Sequence, residues 1–140
     1  MLELLHVKGI LLEYIEGFDL GAMPDHAPRT SWQNIVDQAV AIVRIVGDNY
    51  ILNRDVRPEN FVVTQVSEHD YKVFMIDFAL CRFKGENESN AEWWADAKFT
   101  KDEEGAVGLI MKKNLLHKYG FELHYETSLR YFEEAERGGL

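Results

Sequence analysis

The sequence contains a single cysteine, three prolines and no long apolar run. Because Cys81 has no second thiol to pair with, the chain cannot form an internal disulfide, and the sequence predicts an intracellular protein. No apolar segment approaches the roughly 20 residues that a membrane-spanning helix needs. The N-terminus also lacks a basic region leading into the apolar core of a signal peptide. A membrane partner is therefore not expected.

Positive charge is also scarce, since 15 lysines and arginines face 24 acidic residues and leave a net charge of −9. Such an acidic chain disfavours nucleic acids and anionic membranes as partners. It does not exclude nucleotides, because a bound Mg²⁺ supplies positive charge where the phosphates sit. The length of 140 residues, with 46% hydrophobic and 28% charged, is that of one ordinary globular domain.

Two pairs of apolar-rich runs predict β-hairpins. The first pair spans residues 2–7 and 10–15, joined at Lys8-Gly9, and the second spans residues 61–65 and 71–76, joined by a polar turn. Apolar residues at helical spacing predict a long helix over residues 30–46, with Thr30 and Gln33 as its capping box. Further helices are predicted over residues 90–97, 102–119 and 128–136, the second of them ending at Gly120. The fold class is therefore α+β and mainly helical.

The loop over residues 53–60 combines groups suited to phosphate chemistry. Asp55 and Asn60 lie five residues apart in a charged, proline-containing loop, and Asp77 follows at the end of an apolar run. Phosphoryl transfer from a nucleotide needs an aspartate that orients the acceptor hydroxyl, together with amide and carboxylate oxygens that hold Mg²⁺. Asp55, Asn60 and Asp77 supply the types of group that such a site needs.

This pattern resembles the protein-kinase catalytic loop, H-R-D-x-x-x-x-N, followed by D-F-G. The resemblance implies that Asp55 orients the acceptor hydroxyl and takes its proton, and that Asn60 and Asp77 hold Mg²⁺ on ATP. Arg57 stands where the family has a lysine that offsets charge on the transferred phosphate. The segment over residues 77–83, with residues 102–106 further on, is also similar to a divergent fungal branch of kinase-like proteins.

Residues 12–19 resemble the hinge between the two lobes of a kinase. By this resemblance the Glu13 carbonyl and the Ile15 amide pair with adenine, Asp19 contacts the ribose, and Val62 forms the apolar floor under the base. The chain is thus similar to a kinase C-terminal lobe entered at the hinge, with residues 1–19 as hairpin and hinge and residues 20–140 as the large lobe. An N-terminal lobe or a partner protein is then expected to cover the first hairpin.

The sequence departs from the kinase pattern in several places. Asn53 replaces the catalytic-loop histidine, Ala79 replaces the glycine of D-F-G, and no A-P-E segment follows. The chain begins at the hinge, without the glycine-rich loop, strand lysine and partner glutamate that clamp the phosphates. A fragment, a truncated gene model or a naturally shortened relative would each lack these parts. The isolated chain is expected to be nearly inactive.

The sequence favours the large-lobe portion of an ATP-dependent phosphotransferase that acts on a protein hydroxyl. Two other interpretations stay open. One is a catalytically inactive pseudokinase module kept for binding. The other is a small-molecule phosphotransferase of the aminoglycoside-kinase type, which uses the same set of two aspartates and one asparagine. The absence of an A-P-E segment favours this interpretation. Trp93 and Trp94 are expected to be core residues in all three cases.

Overall fold

A computed structural model describes residues 8–138, of which about half are helical. The α-helices are α1 (Met23–His26), α2 (Trp32–Asp48), α3 (Asn90–Glu92), α4 (Glu103–Tyr119) and α5 (Arg130–Gly138). The strands are β1 (Phe18–Asp19), β2 (Ile51–Asn53), β3 (Phe61–Gln65), β4 (Tyr71–Met75) and β5 (Cys81–Phe83). Short 3₁₀ turns cover Leu20–Ala22, Arg29–Ser31 and Pro58–Asn60, and α3 continues into a π-helix over Trp93–Phe99. The α+β class, mainly helical, agrees with the prediction.

The strands form two small antiparallel sheets. In the first, β3 pairs with β4 so that Phe61 lies opposite Met75, and β1 pairs with the other edge of β3. The hairpin predicted over residues 61–76 is therefore confirmed. The second sheet joins β2 to β5, with Asn53 opposite Cys81. This pairing was not predicted, because its three-residue strands are far apart in sequence and carry no alternating pattern.

The predicted strand over residues 10–15 was wrong. These residues have no regular secondary structure, and residues 2–7, the other half of that predicted hairpin, lie outside the described residues. The side chains of Ile10, Leu11 and Leu12 are 88%, 101% and 81% exposed. An apolar run becomes a strand only when a neighbouring strand takes up its backbone hydrogen bonds. Within residues 8–138 such pairing begins only at Phe18.

Helix α2 carries the main core. Its buried face packs against β4 and α4, as expected from the helical spacing of its apolar residues. The predicted capping box was wrong, because a 3₁₀ turn precedes the helix and Ser31 is its N-cap, without a side-chain cap bond. Gln33 instead donates from Nε2 to Asp37 Oδ1 and to the carbonyl of His124. The buried residues of α2 are Trp32, Ile35, Val36, Ala39, Val40, Val43 and Gly47.

A second apolar cluster lies beside β2. It consists of Leu52, Trp93, Trp94, Ala97 and Tyr131, with the rings of Trp94 and Tyr131 stacked 5.1 Å apart. Both tryptophans are buried, which confirms their prediction as core residues. The cluster packs α5 and the π-helix against β2, which leads into the 53–60 loop.

Helix α4 begins and ends close to its predicted limits. Asp102, with φ of 41°, is the N-cap and accepts a hydrogen bond from Gly105 N. Gly120, with φ of 59°, ends the helix in the left-handed conformation that glycine adopts without strain. No helix among residues 8–138 is both long enough and apolar enough to span a membrane.

Gly108 permits close packing between α4 and the extended segment after it. A Cβ placed on Gly108 would lie 2.2 Å from Cε2 of Tyr125. We expect Gly108→Ala to lower the free energy of unfolding by about 1–3 kcal/mol, because overpacking outweighs alanine's better helix propensity. Denaturant unfolding measures this change. Gly85→Ala is the control, since its Cβ would meet nothing nearer than 3.7 Å. Equal midpoints for the two variants would contradict the prediction.

Candidate active site

The 53–60 loop is closed by the side chain of Asn60. Its Nδ2 donates to the carbonyl of Asp55 at 2.9 Å and to the Asp55 carboxylate at 3.1 Å. The 3₁₀ turn Pro58–Asn60 brings Asn60 back toward Asp55, and Asn60 itself is buried. The D-x-x-x-x-N spacing therefore places the aspartate and the asparagine in direct contact.

The backbone around Asp77, at the end of β4, is held against the same loop. The preceding amide, Ile76 N, donates to the carbonyl of Asn60 at 2.8 Å, which fixes the end of β4 against the loop. Asp77 has a φ of 61°, in the left-handed region, and its Oδ1 accepts a hydrogen bond from Ala79 N at 3.3 Å. Ala79 is outside the left-handed region. The methyl group that replaces the glycine of the kinase pattern therefore causes no backbone strain here.

Asn53 joins the two aspartates. Its Oδ1 accepts a hydrogen bond from Asp55 N at 3.0 Å, and its Nδ2 donates to the carbonyl of Asp77 at 3.2 Å. Asn53 is only 1% exposed, and both bonds are part-buried, because Asp55 is half-buried and Asp77 is exposed. The asparagine found at the histidine position of the pattern thus connects the loop to the segment that carries Asp77.

Arg57 lies at the surface beside the loop. Its Nε is 3.4 Å from Asp55 Oδ1, and its side chain is 56% exposed. An ion pair this exposed contributes little to stability. The Arg57 guanidinium can therefore leave Asp55 and pair with another anion at a small cost in free energy.

An open groove of about 540 Å³ adjoins Asp77. Glu13 lines it together with apolar residues of the 10–12 segment and of the end of β4. The other three predicted nucleotide contacts do not line this groove. Ile15 is half-buried, Val62 lies in β3 opposite both Asp19 and Phe74, and Asp19 is exposed.

Asp19 already has a local role. Its Oδ1 accepts a hydrogen bond from Ala22 N, which caps the 3₁₀ turn Leu20–Ala22. One carboxylate oxygen is thereby used, and the other stays available at the surface. Gly17 lets this stretch approach β3, because a Cβ on Gly17 would lie 2.2 Å from the carbonyl oxygen of Val63.

Two buried charged residues behind the loop were missed by the sequence reasoning. Lys98 is 0% exposed and pairs with Glu103, which is 3% exposed. Burial lowers the pKa of Lys98 to about 8, a shift that the neighbouring Glu104 carboxylate opposes. Burial also raises the pKa of the Cys81 thiol. Nothing in the sequence around Lys98 or Glu103 indicated that these two side chains would be buried as a pair.

The oxygens at the front of the site suit a divalent cation. Both hydrogen bonds made by the Asn60 side chain come from its Nδ2, and Asp77 uses only Oδ1. Asn60 Oδ1 and Asp77 Oδ2 therefore accept no hydrogen bond from residues 8–138. Hard oxygen atoms of this kind are the ligands that Mg²⁺ prefers, usually with nucleotide phosphates completing its shell. These two oxygens match the metal of the kinase pattern in chemical type. Among residues 8–138, no group of three or more His, Cys, Asp or Glu side chains is placed to hold a metal ion.

Neither a protein-family model nor a curated protein matches this sequence. Among solved structures, the chain is similar to the Rio2 kinase of Chaetomium thermophilum, crystallised as an ADP/Mg²⁺–phosphoaspartate complex, with a TM-score of 0.58. The match covers 90% of this chain at 10% identity, and this chain spans about a third, 34%, of the length of that kinase. At such low identity the likeness concerns the fold alone. The described part of the chain has an α+β fold that is similar to part of this kinase structure.

Proposed function

We propose that this chain is the large-lobe portion of an ATP-dependent, kinase-like phosphotransferase that transfers phosphate to a protein hydroxyl. The observation that carries the proposal is the hydrogen-bonded contact among Asp55, Asn60 and the segment of Asp77. Asn60 bonds Asp55 directly, and Asn53 bonds both Asp55 and Asp77. Chance occurrences of D-x-x-x-x-N would have no reason to meet a second aspartate in this way.

Each side chain at the front of the site has a role in this proposal. Asp55 orients the acceptor hydroxyl and accepts its proton, as a general base within hydrogen-bond reach of the nucleophile must. The free oxygens of Asn60 and Asp77 hold Mg²⁺, which neutralises charge on the ATP phosphates when bound. Arg57 offsets charge on the transferred phosphoryl group, and its weak pairing with Asp55 lets it turn toward that group.

The adenine and ribose belong on the hinge side of the site. Glu13 and Ile15 offer backbone groups to the adenine, Val62 supplies an apolar floor, and Asp19 offers its second carboxylate oxygen to the ribose. Support comes from β1, which places Asp19 directly opposite Val62. The Rio2 structure was solved with ADP and Mg²⁺, which makes the same ligand class a reasonable probe for this chain.

An N-terminal lobe, or a partner protein in its place, completes the proposed enzyme. The apolar side chains of Ile10, Leu11, Leu12 and Tyr14 are all more than 80% exposed. Together with the groove beside Asp77 they form an exposed apolar surface. Contact between such a surface and water is unfavourable. An N-terminal lobe or partner protein that supplies the missing phosphate-binding residues would cover this surface.

Labelled-phosphate transfer from ATP tests the proposal. We expect Mg²⁺-dependent turnover by the full-length protein and near-background turnover by the 140-residue chain alone, because positioning is most of what a kinase contributes. Asp55→Asn should lower the full-length rate by about 10²- to 10⁴-fold, the usual contribution of a general base. The control is Asp96→Asn, an exposed carboxylate on the π-helix.

The outcome of this assay also separates the alternatives. ATP binding without turnover by the full-length protein would contradict the proposal and identify a pseudokinase module. Labelling of a small-molecule alcohol rather than a protein would assign the aminoglycoside-kinase type. Strong Asp55-dependent turnover by the isolated chain would contradict the need for a second lobe.

A further inference from the structure

Helix α4 is apolar on two sides. The side that faces the core is buried and consists of Val107, Met111 and Leu115. The other side is 36% to 51% exposed at its large apolar residues, which are Leu109, Ile110 and Leu116. A helix that is apolar all round is normally buried all round. The outer three residues, which we call the aliphatic surface, are therefore open among residues 8–138 although their composition predicts a covering element.

Basic residues border the aliphatic surface. After Glu104, helix α4 contains no acidic residue, and its basic side chains are Lys112, Lys113, His117 and Lys118. Lys113 lies four residues after Leu109 and three before Leu116, so it shares their side of the helix. A hollow of about 370 Å³ opens beside Leu116, and among the described residues that line it only Glu122 has a carboxylate. The border is thus mainly positive, although the chain as a whole carries −9.

A second apolar surface lies where the π-helix meets α5. The rings of Phe99 and Phe132 are in contact there, with their centres 5.4 Å apart. Together with Leu129 they are 44% to 61% exposed. Contact between such side chains and water is unfavourable, and aromatic residues are enriched in protein interfaces. We call these three residues the aromatic surface.

Acidic residues border the aromatic surface. Asp96 is exposed three residues before Phe99, and Glu136 is exposed one helical turn after Phe132. The two arginines of α5 already pair with carboxylates, namely Arg130 with Asp48 and Arg137 with Glu133. Lys101, also exposed, is the nearest other cation in sequence. The border is therefore mainly negative, opposite in sign to that of the aliphatic surface.

We propose that the aromatic surface of one copy of this chain binds the aliphatic surface of a second copy. The contact removes both exposed apolar surfaces from water and brings the acidic border against the basic one. Two chains that each carry −9 repel one another in general, so their contact needs local attraction of this kind. An aromatic side chain such as Phe132 can enter the hollow beside Leu116, an arrangement typical of an interface anchor.

The self-association does not rest on the proposed phosphotransferase function. Neither surface contains a residue of the 53–60 loop, Asp77 or the 10–14 segment that a second lobe is expected to cover. Because the two surfaces differ, the contact forms twice in a symmetric pair of chains, or head to tail in a larger assembly. In both cases every chain offers one aliphatic and one aromatic surface.

Variants that remove one surface at a time test the proposal. Leu109→Gln with Leu116→Gln removes the aliphatic surface, and Leu129→Gln with Phe132→Gln removes the aromatic surface. We expect the full-length protein to gain mass with concentration in sedimentation equilibrium, and each double variant alone to associate at least about 10-fold more weakly. An equimolar mixture of the two variants should form a 1:1 dimer, because each supplies the surface that the other lacks.

The control for these variants is Ile45→Gln with Val66→Gln. Both residues are exposed and apolar, at 60% and 58%, and both lie outside the two surfaces. This variant should associate as strongly as the unmodified protein.

Charge reversal provides a second, independent set of variants. Lys113→Glu with His117→Glu reverses the basic border, and Asp96→Lys with Glu136→Lys reverses the acidic border. Each pair alone should weaken association by about 10-fold or more, and all four changes in one chain should restore it, because the borders are again of opposite sign. The matched control carries the same changes at two exposed residues of the β3–β4 hairpin, His69→Glu and Lys72→Glu.

The outcomes are decisive in both directions. A full-length protein that keeps its monomer mass at every concentration would overturn the proposal. Association that survives in either glutamine variant would also overturn it, since another surface, such as the exposed 10–12 segment, would then be responsible. Folded variants that fail to pair in the mixture would do the same. If a glutamine variant does not fold, the charge reversals decide, and association that all four changes leave unrestored would overturn the proposal.

Discussion

Replacing Asp77 with asparagine is expected to abolish most Mg²⁺-dependent phosphate transfer by the full-length protein while leaving its fold intact. Asparagine tolerates the left-handed φ of 61° at this position, and its side-chain oxygen can still accept the hydrogen bond from Ala79 N. The main-chain carbonyl that bonds Asn53 is unaffected. What is lost is the negative charge that the proposed metal needs.

The expected size of the effect follows from the role of the metal. Metal ions supply several kcal/mol of charge stabilisation to the transition state, and each 1.4 kcal/mol corresponds to a factor of ten. We therefore expect turnover at limiting Mg²⁺ to fall by on the order of 10²- to 10³-fold. The measurements are initial rates across a Mg²⁺ titration and Mn²⁺-ATP binding by calorimetry.

Asp102→Asn is the matched control for this prediction. Asp102 also has a left-handed φ, of 41°, but it caps α4. Since asparagine is as good an N-cap as aspartate, this variant should keep both its stability and its activity. An Asp77→Asn protein with an unchanged Mg²⁺ dependence would show that Asp77 is not a metal ligand.

The second large effect concerns the buried ion pair. Replacing Lys98 alone with methionine leaves the Glu103 carboxylate buried without its partner, since Glu103 is only 3% exposed. Breaking one side of a buried pair costs about 3–5 kcal/mol. We expect a loss of that size in the free energy of unfolding, measured by denaturant titration at pH 7, where the lysine is charged.

Adding Glu103→Gln to Lys98→Met should restore most of that stability, because the uncompensated charge is removed. Arg137→Met serves as the control, since Arg137 pairs with Glu133 at the surface with both side chains more than half exposed. That pair should contribute about 0.5 kcal/mol at most. A Lys98→Met protein as stable as the Arg137→Met protein would contradict the buried pairing.

Local patterns in the sequence determined a large part of this fold. The hairpin of β3 and β4 was predicted because two apolar-rich runs flank a polar turn, and each strand finds its partner a few residues away. Helix α2 was predicted from the helical spacing of its apolar residues, and the end of α4 was predicted from Gly120; both signals act within a few residues. The contact between Asp55 and Asn60 is local in the same sense, since one 3₁₀ turn separates them.

Tertiary structure decided the features whose partners are distant in sequence. The run over residues 10–15 looked like a strand by composition, yet it has no pairing among the described residues and stays irregular. Residues 51–53 showed no strand pattern, yet they pair with residues 81–83. Strand formation depends on a partner that supplies hydrogen bonds, and a single sequence does not specify a distant partner.

The support of the candidate site was likewise decided by the tertiary structure. The sequence alone placed Asp55, Asn60 and Asp77 in one pattern, but it did not indicate that Asn53 would bond both aspartates or that Glu103 would hold Asn53 from behind. The contacts of Asn53 with Asp77 and with Glu103 join residues 24 and 50 positions apart. A buried charge is stable only where packing brings its partner to it, so the roles of Lys98 and Glu103 emerge only when β2, the π-helix and α4 are assembled.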